Sequence, residues 1–364
     1  MPILADYVWS SPIGFRWKTR VFHEPLTIDE SGVPIFPEWD FDGSSTGQAE
    51  PEQRSGCTEV RLVPAFVCDD PMRPGYDHPR RGKDFCRGYI VLCDITQPDG
   101  APLTEWRRPW AKDVLAAAAG KQPWFGIEQE FYLFDPRTRT PAGFPDSQHI
   151  RPQGPYYCRM GENNGRGLIE KHMEMCLSAG LKVSGTNAEV GPSQWEYQIG
   201  PCEGIEAADQ LMVSRYLLDR LAESAGLAVS WNPKPILGDW NGSGCHVNYS
   251  TNETRGEMSG VDAYTALTSV VKKLETAHAD MVLTFSSDNR KRLVGGFEAP
   301  RHDVFSWGVA TRNTSVRIPS HVANSRAGYL EDRRPGSDMD PYLTLGTIVY
   351  ADMQSVIDQC HNTV

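Results

Sequence analysis

The chain has 364 residues, enough for a sizeable core and two domains. Its composition, 40% hydrophobic and 23% charged, is that of an ordinary globular protein, and a net charge of -11 speaks against a general nucleic-acid or acidic-membrane binder, since both need a basic surface. No apolar run is long enough to span a membrane, the opening "MPILADYVWSS" lacks a secretory signal, and nine scattered cysteines contain no C-x-x-C pair, so reduced thiols in the cytoplasm are expected.

In chain order, "ADYVW", "KTRVF", "EVRLVPAFVC" and "GYIVLCDI" are short β-branched and aromatic runs between turn residues, which predicts a small, mostly β domain over 1–103. The Pro-, Gly- and charge-rich "DDPMRPGYDHPRRGKDF" between the last two is a surface loop. "EWRRPWAKDVLAAAAGKQ" reads as a helix opening a second domain, 104–364. From Trp124 strands and helices alternate. "WFGIEQEFYLF" is a strand, and the stretch from Pro136 to Tyr157 a long loop. "GLIEKHMEMCLSAG" is a helix, "LKVSGTNAEV" and "SQWEYQIG" are strands, and "GIEAADQLMVSRYLLDRLAESAG" is an amphipathic helix ending at Gly226. "LAVSWNPKPI" and "CHVNYST" are strands, and "DAYTALTSVVKKLETAHADMVL" is a single helix. The class is α+β.

Within the strand at Trp124, Glu128 and Glu130 lie two apart among apolar residues, so both point to one face. Buried unpaired carboxylates are costly. Glu189, Glu196, Glu298 and Glu331 also sit in apolar or aromatic text, and His246 and Asn248 share a strand face. Taken singly, each acid reads as an exposed or salt-bridged Glu; together they need cations. Carboxylates with one imidazole suit Mg²⁺ or Mn²⁺ better than Zn²⁺. So many ligands imply two or three ions, which points to phosphoryl chemistry. Arg292, Arg312, Arg317, Arg333 and Arg334 are suited to gripping carboxylates and phosphates, although surface ion pairing would account for some of them. There is no Walker-A or G-x-G-x-x-G motif, so any ATP would be bound through metals and arginines.

The blocks "DFDGSST", "PWFGIEQEF", "QGPYYC", "SGTNAEVGPSQWEYQIGP", "WNGSGCHVNYST", "SVRIP" and "GYLEDRRPGSDMDPY", in this order, closely resemble the signature blocks of type II glutamine synthetases. The resemblance runs from "ADYVW" to the last helix. It implies an N-terminal β-grasp domain and a catalytic domain with a curved antiparallel sheet and flanking helices. It implies a cytoplasmic decamer of two stacked pentameric rings, with each active site shared between neighbouring subunits, small-molecule substrates, and neither nucleic acid nor membrane as partner. By the same resemblance Glu130, Glu189 and Glu196 would hold one metal, and Glu128, His246 and Glu331 a second. Arg292, Arg312 and Arg333 would hold the glutamate carboxylate and the phosphates, and Asn241 and Gly242 would line the amino-acid pocket. Trp124, Pro201, Asn248, Ser250, Arg255, Arg317 and Tyr329 would belong to the nucleotide site. Asp42 and Glu298 would flank the ammonium site, with Ser45 and Tyr157 nearby.

The implied reaction is ATP-dependent. The γ-carboxylate of glutamate takes the γ-phosphoryl group to give γ-glutamyl phosphate, Asp42 deprotonates ammonium, and ammonia displaces phosphate beneath a flap that carries Glu298. The chain departs from the family pattern in "GGFEAP", where Phe297 precedes the flap glutamate in place of a His and Ala299 and Pro300 follow it, in Arg159 after "PYYC", and in a shorter connection to "GRG". These departures lie on the acceptor side. They leave open a γ-glutamyl ligase that takes an organic amine or a glutamate analogue. A catalytically dead structural homologue is a further alternative, against which the intact carboxylates count.

Overall fold

The structure, a computed structural model, describes residues 2–49, 56–73, 86–103, 105–143, 157–158, 160, 164–286 and 288–361, with only the backbone of 356 and 358–361. The chain divides into two compact units: Met1–Pro109 with Met175–Leu181, and Trp110–Glu174 with Lys182–Val364.

The first unit is a five-stranded mixed sheet. Its strands are β1 (Ile3–Ser11), β2 (Gly14–Phe22), β3 (Trp39–Asp42), β4 (Glu59–Asp69) and β5 (Arg87–Thr96), in the order β2-β1-β5-β4-β3. β1 and β5 run parallel; the other neighbours are antiparallel. Tyr7, Trp9, Leu62 and Val91 are buried on one face of the sheet, and Val8, Ile90 and Leu92 on the other. β3 runs into the single turn α1 (Gly43–Thr46), which Asp42 caps by accepting from the Ser44 amide. Trp106 Nε1 and Arg108 Nη1 both donate to the Asp94 carboxylate, which fixes the end of this unit.

The second unit is built on a nine-stranded sheet. Its main path is β12 (Trp307–Val309), β13 (Val316–Ile318), β14 (Leu330–Asp332), β11 (Cys245–Ser250), β6 (Trp124–Asp135), β9 (Gln194–Glu203) and β8 (Val183–Ala188), with β7 (Thr140–Pro141) and β10 (Ala228–Ser230) also paired to β6. Every described pairing is antiparallel except that of β12 with β13, which departs from a wholly antiparallel sheet. The helices are α2 (Arg108–Ala117), α3 (Arg166–Ser178), α4 (Glu206–Ser224), α5 (Ala263–Thr276), α6 (His278–Thr284), α7 (Ser320–Ser325) and α8 (Pro341–His361). The α+β class expected from the sequence is what the structure shows.

Along β6 burial alternates from Trp124 to Phe131. Phe125, Ile127, Gln129 and Phe131 are fully buried, while Gly126, Glu128 and Glu130 face the other way and keep some exposure. α4 packs against β6 and β9 with Leu211, Ser214, Arg215 and Leu218 buried. The single helix expected from Asp262 to Leu283 is two helices. Ala277 leaves helical geometry (φ -85°, ψ 0°), and His278 turns inward to bond the His302 carbonyl and Arg334.

Candidate active site

Strand register assembles the site. β6 places Glu130 opposite Glu196 on β9, and Glu128 opposite His246 on β11. Asn248 on β11 lies opposite Glu331 on β14. Glu189 follows β8, its carboxylate accepting from Asn187 Nδ2 and the Val190 amide at 3.1 Å each. Two groups result: Glu128, His246 and Glu331, and Glu130, Glu189 and Glu196, each with one ligand atom per residue lying within 4.8 Å of the others. His246 stands between them. Its Nδ1 is 3.5 Å from Glu331 and 3.7 Å from Glu128, and its Nε2 is 3.8 Å from Glu130.

The donor set fits divalent cations. Ligands on opposite sides of a Mg²⁺ ion lie about 4.2 Å apart, so groups spanning at most 4.8 Å need little adjustment. Burial, then the charge of Glu189, pushes Glu130 up to about 8. Burial, with Glu298 adding to it, pushes Glu189 up to about 7. Burial and the neighbouring carboxylates raise Glu196 well above its usual range. Carboxylates in this situation take up protons unless cations replace them. Burial, reinforced by Arg333, pushes His246 well below its usual value, which leaves the neutral imidazole a metal requires.

Close packing of the backbone is part of the fit. A Cβ on Gly244 would lie 2.5 Å from His246 Nε2, and one on Gly242 would lie 2.4 Å from the Pro233 carbonyl and 2.6 Å from Arg292 Cγ. Only glycine allows this approach. The Gly244 amide donates to Glu130 Oε2 at 2.9 Å.

Residues outside the expected set hold the acids in place. Gln129, between the two β6 glutamates but on the opposite face, accepts from Arg215 Nε at 2.8 Å and donates to the Ser337 carbonyl at 3.0 Å. Arg215 also bonds the carbonyls of Met339 and Ser337. Gln194 donates to Glu130 and to the Gly242 carbonyl. A polar residue inside an apolar strand run was the available signal for Gln129. Arg215, lying in an amphipathic helix, gave none.

The arginines differ from one another. Glu331 is fully buried and accepts from Arg333 Nη1 at 2.7 Å, with Arg317 Nε paired to its other oxygen. Arg292 donates through Nη2 to the carbonyls of Arg333, Arg334 and Pro335 and through Nε to Asn289, and burial lowers it to about 10. Arg312 is exposed, and its carbonyl accepts from Arg333 Nε. Arg334 faces away and is locked to Asp332.

Asn241 is buried, its carbonyl held by the Tyr132 hydroxyl at 2.8 Å. At the other end of β6, Arg255 lies 4.1 Å over the Trp124 ring and donates to Ser250 Oγ, while Asn248 donates to Glu128 at 2.7 Å. Pro201 is exposed on β9, and Tyr329 packs against His321. Glu298 is exposed on a turn with φ +63°, and its carbonyl accepts from Arg333 Nη2. Tyr157 is exposed, and burial of its hydroxyl with the charges of Cys158 and Glu189 raises its pKa. Arg159 lies outside the described residues.

Asp42 and Ser45 belong to the first unit. Asp42 accepts from Ser44 Oγ at 2.7 Å and Ser45 Oγ at 2.5 Å, and these bonds, that of Ser44 first, hold its carboxyl well below the usual range. Such a group is a good anchor for a cation and a weak proton acceptor.

Residues 108–362 match the family model described as the glutamine synthetase catalytic domain. The chain is similar to glutamine synthetase cytosolic isozyme 1-1 of Oryza sativa subsp. japonica, 40% identical over 352 residues, covering 95% of this chain and 92% of that protein. It is 44% identical to a glutamine synthetase of Suillus bovinus over the same length and coverage, and 42% identical to one of Tuber borchii over 351 residues, 95% of this chain and 91% of that protein.

Proposed function

This chain belongs to the glutamine synthetase family, and from that premise we propose that it joins ammonia to the γ-carboxylate of L-glutamate with ATP, giving glutamine, ADP and phosphate. The observation that carries the reading is the double cluster on the sheet, Glu130, Glu189 and Glu196 beside Glu128, His246 and Glu331. These residues would hold Mg²⁺ or Mn²⁺, which when bound supplies charge neutralisation for phosphoryl transfer.

The chain's own residues do the rest. Asn241 and Gly242, held from behind by Tyr132 and Gln194, form one wall for glutamate. Trp124, Pro201, Asn248, Ser250, Arg255, Arg317 and Tyr329 are assigned to ATP, and the Arg255–Trp124 stack gives the base an aromatic platform. Arg292, Arg312 and Arg333 are assigned to the glutamate carboxylate and the phosphates. Arg333, already on Glu331, ties this charge to the metal face. Asp42, Ser45, Tyr157 and Glu298 are assigned to ammonium. The carboxylates of Asp42 and Glu298 favour a small cation electrostatically; Asp42, held low by its serine hydroxyls, is a weak base and passes the proton that ammonium loses on to solvent.

Family membership supports an oligomer that uses ATP and a divalent metal. We propose a decamer with sites shared between subunits, as the resemblance of the ordered blocks implies. No described helix is long and apolar enough to cross a membrane. A cytoplasmic location is supported by the name of the rice relative.

An organic-amine acceptor is the second reading, motivated by Phe297 in the flap. Phe297 is half-buried with Lys234 Nζ 5.1 Å from its centroid, so that ring face is not offered to an apolar amine. This observation favours ammonia. The test is phosphate release and product mass with glutamate and ATP across ammonia and a panel of alkyl and aryl amines. Ammonia should win by a wide margin. Turnover with another amine and none with ammonia would overturn the reading.

A further inference from the structure

Lys234 is buried, and among the described residues no carboxylate forms an ion pair with its ammonium. Its Nζ donates to the Trp240 carbonyl and lies 5.1 Å from the centre of the Phe297 ring. A buried cation needs its protons satisfied and its charge answered. The carbonyl does the first, and the ring face, with Asp239 nearby, does the second.

Each contact ends on a segment of the site. On one side is the loop 233–243, closed by the Ser243 amide bonding the Pro233 carbonyl at 2.8 Å, with Asn241 and Gly242 fixed from the sheet. On the other is the turn 294–301, closed by a bridge between Val294 and Arg301. Phe297 and Glu298 at its tip are both left-handed, with φ +55° and +63°. Non-glycine residues adopt that backbone at a cost, which the turn's own bonds, from the Ala299 amide to the Gly296 carbonyl at 3.1 Å and from the Gly295 amide to the Pro300 carbonyl at 3.2 Å, offset in part. From outside the turn, Arg333 holds the Glu298 carbonyl and Lys234 lies on the Phe297 ring.

We infer that Lys234 is a positioning residue that latches the Phe297–Glu298 turn to the glutamate loop, so that the turn stays closed while the acyl phosphate waits for ammonia. The inference rests on the proposed reaction. With the latch lost, water competes with ammonia: its oxygen bonds the acyl carbon, the bond to the phosphate oxygen breaks, glutamate and phosphate return, and a proton goes to solvent. ATP is then spent without amide formation.

The readout is phosphate released per glutamine formed, measured with glutamate, ATP and ammonia for the wild type, Lys234→Met, Phe297→Leu, Phe297→Tyr and the Lys234→Met/Phe297→Leu double variant. Because one phosphate leaves with every glutamine, the measure is the excess above one: Lys234→Met and Phe297→Leu should each raise that excess roughly 3- to 10-fold, the scale of losing one desolvated cation–ring contact. Phe297→Tyr keeps the ring and should keep the wild-type ratio. The double variant should be no worse than the worse single one. Ratios that stay at the wild-type value while both rates fall together would mean a merely structural lysine and overturn the latch. If Lys234→Met does not fold, Phe297→Leu and Phe297→Tyr decide alone. A wild type that makes no glutamine would instead overturn the proposed reaction.

Discussion

Glu130 meets Glu196 across the strand pair, accepts from the Gly244 amide and Gln194, and is pushed up to about 8 by burial and by Glu189. A glutamine there keeps the shape and removes the charge. Glu130→Gln should therefore weaken Mn²⁺ binding by at least about tenfold and abolish most activity, read by titration of bound Mn²⁺ and by initial rates. The two β6 glutamates were legible in the sequence because strand alternation alone puts even-numbered positions on one face. Their grouping with Glu189, Glu196, His246 and Glu331 came only from the resemblance, since register with β9 and β11 is a tertiary fact that no local pattern shows. Lys234 gave no signal either: "LAVSWNPKPI" reads as one strand, whereas the strand is Ala228–Ser230, and only folding shows the lysine buried.

Asp219 makes the pH prediction. Burial pushes its carboxyl up to about 7, with Trp231 Nε1 and Arg215 pulling the other way. Its folded pKa therefore lies above its unfolded one. The folded state binds the extra proton, so this group's contribution to stability is full below pH 4, falls as pH rises towards 7, and stays at its lowest above that. Asp219→Asn should raise Tm at pH 8 and leave it nearly unchanged at pH 4. Equal shifts at both pH values would contradict the assignment.

At the scale of elements, β6 works as a two-faced strand. Its outer face presents Glu128 and Glu130, and its inner face is pinned to α4 and to the Ser337 segment through Gln129 and Arg215. Gln129→Leu would leave a buried guanidinium nitrogen unpaired and free the strand to shift. The expected loss is about 1–3 kcal/mol of stability, with Mn²⁺ affinity falling roughly 10–100-fold, read by denaturant melts and metal titration on the same preparation. Unchanged Mn²⁺ affinity would deny Gln129 this role. The break between α5 and α6 shows where periodicity stops informing: the junction is an alanine with no Gly or Pro, and the bonds of His278 to His302 and Arg334 account for the turn.

At the scale of the molecule, the resemblance carried more than any pattern. Composition excluded classes, and strand and helix runs gave the α+β class, but the assignment of Asp42 to the chemistry of the metal ligands was implied only by the ordered blocks. Two expectations belong here. Mg²⁺ or Mn²⁺ that binds only the folded chain should stabilise it by about 2.7 kcal/mol at a hundred times Kd and so raise Tm with concentration, and a Tm indifferent to both would count against the cluster as a metal site. Asp42→Ala and Glu331→Ala chains, each inactive, should regain activity when co-assembled, because mixed neighbours rebuild intact shared sites; mixed particles that stay inactive would rule the shared site out.

The most direct test of the central claim follows oxygen. Glutamate labelled with ¹⁸O in its γ-carboxylate is turned over with ATP, ammonia and Mg²⁺, and both glutamine and phosphate are weighed by mass spectrometry. The account predicts one ¹⁸O transferred to phosphate for each glutamine formed, because the γ-carboxylate oxygen that accepts the phosphoryl group leaves with it. Glutamine formed with unlabelled phosphate, or no glutamine while ATP is consumed, would contradict it.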